Sequence, residues 1–241
     1  GKSPEYIKVF LMGEYGSLRD GRPVYEGIWN EERHLSRTPL AVYSGIPLRL
    51  GWDFGLNPAC VIGQLTPKGQ LRIVREFTAE HRPFREFARD TVLPALANDY
   101  AGMTMISRHD PAEGTSQVDG TSCADVLAEL GIDSRPARTN DFQPRWQAVS
   151  SFALRTTVDG RPGLAVDPGC RTLVKGFNGA YVLERVQVIG EERYKDVPSK
   201  NLYSHPQDGL QYLALEAGEG LMPEAPRRRA LPQRAPGGGV F

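Results

Sequence analysis

The chain has 241 residues, and its 29 Lys plus Arg balance 29 Asp plus Glu to a formal net charge of zero. That length suits one large domain or two small ones, and with 40% hydrophobic residues it can bury a substantial core, which excludes global disorder. The balance of charge excludes a strongly basic, high-affinity nucleic-acid binder and leaves room for a local basic groove. Cys60, Cys123 and Cys170 lie far apart with no CxxC spacing, which points away from disulfides and zinc and toward a reducing compartment. No apolar run approaches the roughly 20 residues that span a bilayer, and no signal peptide opens the chain. Its first residue, Gly1, reads as a tag remnant or the start of an excised piece.

Residues 4–12 are mostly apolar and suit a short helix or strand, and a Gly-rich, charged stretch runs on to Gly27. Residues 24–49 scatter Tyr25, Trp29 and Tyr43 among chain breakers. Residues 1–45 therefore read as an irregular lead-in packed on a main domain over 46–217. From Leu50 to Gly63 apolar residues lie on both sides of one acid, Asp53, the pattern of a fully buried strand. Gly55, Asn57 and Pro58 break that strand. Thr66 to Gly69 is a turn, and Gln70 to Phe77 alternates as a second strand, antiparallel to the first.

Pro83 to Tyr100 has helical apolar spacing, kinked or split at Pro94. Met103 to Ile106 reads as a short buried strand that enters an acidic turn, Asp110-Pro111-Ala112-Glu113-Gly114. A helix over 122–130, a strand over 132–137, a helix over 143–157 and a strand over 164–166 follow. Asp167 then reads as the cap of a helix over 170–177. Residues 181–189 and 192–196 suit a long exposed hairpin, expected to lie near the acids and tune access to them, and 204–215 a helix carrying Asp208. Beyond Glu216 the composition turns to Gly, Pro, Arg and Ala, so 218–241 reads as a disordered tail.

Alternation of strands and helices after an antiparallel opening indicates an α/β fold, a mixed sheet covered on both faces. Asp53, Asp110 and Asp208 sit on three elements that can converge at one sheet edge. Each has an ordinary use as well: a strand-end turn for Asp53, a turn before proline for Asp110, the first turn of a helix for Asp208. Convergence would raise their pKa values by mutual repulsion unless divalent cations occupied the gap, and oxygen-only donors favour Mg²⁺ or Mn²⁺. Two such ions about 3.5–4 Å apart activate water and stabilise the leaving oxygen of a phosphodiester.

Three segments carry a resemblance: WDFGLNPACVIG at 52–63, ISRHDPAEGT at 106–115 and YSHPQDGLQYLAL at 203–215, supported by LAVDPGCRTLVKGFNGAYV at 164–182. In order and spacing they resemble the C-terminal nuclease domain of the large terminase subunit of tailed bacteriophages, over roughly residues 20–216. The resemblance implies a ribonuclease H-like fold with an added β-hairpin, and a DNA endonuclease using two Mg²⁺ or Mn²⁺ ions. By it Asp53, Asp110 and Asp208 are the catalytic metal ligands, and His205 orients Asp208 or contacts a phosphate. Arg185, Arg193, Lys195 and Lys200 would then hold the backbone of double-stranded DNA. It also implies the family's wider partners, an ATPase domain, a small terminase subunit and a portal, in the host cytoplasm with no membrane. The family's P-loop pattern is absent, so the chain reads as the nuclease half alone.

Two other readings stay open on the residues. In an actin- or sugar-kinase-like ATPase lobe Asp53-Phe54-Gly55 would cradle phosphate, although 241 residues are few for the two lobes such enzymes need. The other is a non-catalytic capsid- or portal-docking module of the same fold.

Overall fold

The computed structural model describes residues 21–112, 120–186 and 193–219. The readings for 4–12, for the hairpin tip and for the tail from residue 220 lie outside the described residues. A short strand, β1 (Gly21–Pro23), and a one-turn helix, α1 (Glu31–His34), precede an antiparallel meander of β2 (Leu48–Asp53), β3 (Ala59–Leu65) and β4 (Leu71–Thr78). A helical stretch follows as α2 (Phe84–Phe87), a π-helical turn (Ala88–Val92) and α3 (Leu93–Asp99). Then come β5 (Met105–His109), α4 (Cys123–Glu129), β6 (Ser134–Pro136), α5 (Phe142–Leu154) and β7 (Leu164–Val166). Next is α6 (Arg171–Lys175), running into a second π-helical turn (Gly176–Ala180). Strands β8 (Val182–Val186) and β9 (Arg193–Tyr194) and a long helix, α7 (Ser204–Glu219), complete the described residues.

Six strands pair in the order β6-β5-β2-β3-β4-β7, and β1, β8 and β9 form a separate three-stranded antiparallel sheet. β5 runs parallel to β2 and to β6, and β7 parallel to β4, so the larger sheet is mixed. Leu50, Trp52, Cys60 and Ile62 face one cluster, with Phe84, Phe87, Val92 and Leu127 from the helices beneath. Val61, Leu71 and Ile73 face the other, with Val149 and Phe152 of α5 and Leu210 and Leu213 of α7. This is the α/β architecture expected, a mixed sheet with helices on both faces, and in place of an added hairpin there is a separate three-stranded sheet. No helix among the described residues is long and apolar enough to cross a membrane.

Several elements differ from the reading of the sequence, each for a local reason. The apolar run 50–63 is two strands: Gly55 takes φ 128°, and Asn57 Oδ1 accepts from His81 N–H at 2.9 Å, so the chain reverses between them. The segment at 70–77 therefore pairs with the second half of that run. Around Pro94 the helix neither ends nor leaves helical dihedrals; the change is a π-helical turn just before it, which absorbs the missing N–H. β5 lies two residues later than expected, because pairing with β2 from Leu48 to Trp52 carries it through Arg108 and His109. The hairpin is less exposed than its charges suggest, since Tyr181, Val182 and Leu183 are buried and β1 adds a third strand.

Asp167 is not a helix cap. Its Oδ1 accepts from Gly169 N–H at 2.7 Å and its Oδ2 from Leu40 N–H at 2.5 Å, because α6 starts four residues further on. The first N–H groups of α6 are taken instead by Glu76 of β4, which accepts from Thr172 at 2.6 Å and Leu173 at 2.8 Å. Replacement of Glu76 by Ala is expected to cost about 1–2 kcal/mol, read as a lower urea midpoint.

One contact seats α7. A Cβ on Gly51 would stand 1.9 Å from the carbonyl oxygen of Gly209, and one on Gly209 would stand 2.9 Å from that of Gly51. Backbone thus lies directly on backbone where α7 crosses β2. Gly51→Ala is expected to destabilise the protein by about 3 kcal/mol, whereas Gly218→Ala, in the same helix with nothing within 4 Å, should be neutral or gain up to about 1 kcal/mol. Chemical denaturation of the two variants checks the contrast.

Candidate functional site

Strand register and the crossing of α7 together put the three acids on one side of the sheet. Asp53 ends β2 and Asp110 directly follows β5, with Trp52 paired to His109 and Asp110 N–H donating to Trp52 C=O at 3.2 Å. Asp53 and Asp110 are therefore neighbours across a parallel ladder. Side chains alternate along a strand, so Asp53 shares the face of Gly51, the face on which α7 lies. Asp208 immediately precedes Gly209 in that helix. All three acids thus sit at the C-terminal edge of the central parallel strands.

The side chains are matched to the protein's own cations. Asp208, 3% exposed, accepts at Oδ1 from Arg145 Nη1 at 2.7 Å and at Oδ2 from the Lys200 ammonium at 2.5 Å. Arg145 Nη1 also donates to Gln211 Oε1 at 2.8 Å, its Nε donates to Asn140 C=O at 3.2 Å, and its guanidinium lies 4.9 Å from the Tyr212 ring centroid. Gln211 Nε2 donates in turn to the hydroxyls of Tyr25 and Tyr181, at 3.1 and 3.3 Å. Asp53 Oδ2 meets His205 Nδ1 at 2.7 Å, and since an ionised carboxylate only accepts, Nδ1 carries the proton. Asp110 Oδ1 accepts from Ala112 N–H at 2.8 Å.

Burial pushes the Asp53 carboxyl up to about 6; the His205 hydrogen bond pulls it down and the charge of Asp208 pushes it further up. The Lys200 ammonium is held above its ordinary range: desolvation works against this, and Asp208 and then Asp53 outweigh it. Burial raises the Tyr212 phenol; Arg145 opposes the rise, and Asp110, Asp208 and Asp53 add to it. All three carboxylates therefore act on one side chain of α7.

The structure brings together Asp53, Asp208, His205 and Lys200, with Asp110 beside Asp53 on the ladder. His205 holds Asp53 rather than Asp208. Lys195 pairs with Glu184 on the small sheet, and Arg185 and Arg193 are exposed on β8 and β9. Among the described residues the cations paired with Asp53 and Asp208 are His205, Arg145 and Lys200. Among the same residues no three His, Cys, Asp or Glu side chains group closely enough to hold a metal ion. In chemistry the acids suit a hard divalent cation, being oxygen donors, two of them buried and mutually repelling.

Arg145 was missed from the sequence. It stands in the buried stripe of α5 with Phe142, Val149 and Phe152, and a charge within an apolar stripe was the available signal. Asp53→Asn, which keeps an acceptor for His205, tests the electrostatics. A carboxyl whose folded pKa of about 6 exceeds its ordinary 3.8 makes stability fall as pH rises through that window. The variant should match the parent near pH 4 and exceed it by on the order of 2 kcal/mol above pH 6, with chelator present.

No protein-family model and no curated protein matches the sequence. Solved structures do match. The large terminase of a thermophilic bacteriophage has a TM-score of 0.59 at 14% identity, covering 83% of this chain and 45% of that one. The same terminase in complex with ADP has a TM-score of 0.58 at 15% identity, covering 89% and 48%. The nuclease domain of the P22 large terminase has a TM-score of 0.55 at 12% identity, covering 78% of this chain and 89% of that domain. The chain thus spans about half the length of the thermophilic phage's terminase and most of the P22 nuclease domain, and it shares their fold.

Proposed function

We propose that this chain is the metal-dependent endonuclease domain of a viral DNA-packaging terminase large subunit, cleaving double-stranded concatemeric DNA by two-metal-ion phosphodiester hydrolysis. The observation that carries the reading is the placement of Asp53, Asp110 and Asp208 on one face, at one edge, of a sheet with the terminase nuclease fold. In this reading residues 46–217 are the nuclease and 1–45 lead in from an ATPase domain, with 218–241 as a tail. The partners are then that ATPase, a small terminase subunit and a portal, in the cytoplasm of an infected host.

Asp53, Asp110 and Asp208 would hold two Mg²⁺ or Mn²⁺ ions, which when bound supply a nucleophile at neutral pH and charge for the leaving oxygen. The chain's own residues do the rest. His205 Nδ1–H fixes which way the Asp53 carboxylate faces, and Arg145 does the same for Asp208. Lys200, exposed over two-thirds of its side chain, would meet a phosphate beside Asp208, and Arg185, Arg193 and Lys195 carry positive charge along the small sheet.

The test is nicking of plasmid DNA with Mn²⁺ or Mg²⁺ and no ATP. Asp53→Asn, Asp110→Asn and Asp208→Asn are each expected to lose at least about 100-fold in rate while keeping the folded circular dichroism spectrum. Contacts made mainly to phosphates should give little sequence preference and steep inhibition by salt. Full cleavage by Asp53→Asn would overturn the site. Nucleotide binding without cleavage would favour an ATPase lobe, and neither activity a docking module.

A further inference from the structure

Both oxygens of Asp208 are engaged, by cations anchored in different ways. Arg145 is buried, 8% exposed, and it is held on every side: Gln211 and Asn140 accept from it, and Tyr212 lies against its guanidinium. It comes from the middle of the domain, on a helix packed along α7. Lys200 comes from the connection between β9 and α7 and pairs with Asp208, with 67% of its side chain in solvent. An arginine in a fixed fork of acceptors loses its contacts if it moves, whereas a lysine on a four-carbon stem swings into water at little cost.

We propose that Arg145 and Lys200 divide Asp208 between them. Arg145 is a permanent positioning partner of Oδ1, and Lys200 is an exchangeable counter-ion that occupies Oδ2 until a divalent cation displaces it. The proposal rests on reading Asp208 as a cation ligand. Two consequences follow from the geometry. With Oδ1 held by Arg145, the oxygen of Asp208 that the exchange vacates for a cation is Oδ2. With Lys200 released, its ammonium is freed at the mouth of the site, where a phosphate can take it. Before a cation arrives, the same lysine offsets the repulsion between Asp208 and Asp53.

The experiment is calorimetric titration of MnCl₂ into the full chain without DNA, so that binding is read apart from cleavage. Lys200→Met should bind Mn²⁺ about fivefold more tightly than the parent, the order expected when a competing half-exposed ion pair is removed. Arg145→Met removes the same charge and should bind more weakly, because Asp208 loses its orientation; Arg145→Lys should recover part of the loss. Lys68→Met, beyond the opposite end of β3 and paired with Asp159, is the control for net charge. Lys200→Met with affinity equal to or below the parent's overturns the exchange, and so does equal tightening in the Lys200, Lys68 and Arg145 variants. Should Arg145→Met fail to fold, the contrast of Lys200→Met with Lys68→Met decides alone. Asp208→Asn separates the two readings: if it binds Mn²⁺ as the parent does, the site assignment itself fails. If it loses binding while Lys200→Met is unchanged, only the exchange fails.

Discussion

The close crossing of α7 over β2 is the constraint on which the rest depends. Because neither Gly51 nor Gly209 has a side chain, helix and strand meet through their backbones, and the helix lies closer to the sheet than side chains normally permit. That closeness sets the level of Asp208 relative to Asp53 and lets His205, four residues before Gly209, reach the strand's last carboxylate. Gly63 on β3 extends the same smooth track toward Leu213. The acids belong to elements far apart in sequence, and this seat is what brings them to one edge of the sheet.

Around the seat lies a buried polar layer that is costly unless complete. Arg145, Asp208, Gln211, Tyr25 and Tyr181 satisfy one another in series, linking α5, α7, the segment after β1 and the start of β8. Buried polar groups hold one geometry strongly when all their partners are present, and destabilise when one is lost. Tyr25 belongs to the segment that composition made irregular. Its ring nonetheless lies 4.9 Å from Phe177, and Trp146 Nε1 donates to the carbonyl of Val24 next to it.

What the sequence made legible was local. Covered strands are apolar on both faces, so the run that holds β2 and β3 could be read as buried strand, though not as two, and β7 could be read with it. Asp53, Asp110 and Asp208 stood out as charges where apolar runs end. What could not be read depended on partners distant in the chain. Glu76 takes the N–H groups of Thr172 and Leu173 across nearly a hundred residues, so the nearer acid, Asp167, looked like the cap. Arg145 reaches Asp208 from 63 residues away, and nothing near it in sequence says which carboxylate it will meet. His205 went to Asp53 rather than Asp208 for the same reason: two residues on one helix turn share neighbours on the strand below.

The pairing of β1 with β8 has a mechanical side. Gly21, Arg22 and Pro23 lie antiparallel to Glu184, Leu183 and Val182, and β8 starts immediately after Tyr181, a member of the buried polar layer. A pull applied along β1 shears the ladder and loads its bonds together instead of unzipping them singly. Tension arriving from that direction would pass first into the small sheet that carries Arg185, Arg193 and Lys195, and through Tyr181 toward Gln211 and Arg145. β1 is therefore coupled to the acids as a cable is to a lever, through strands that resist being drawn apart lengthwise.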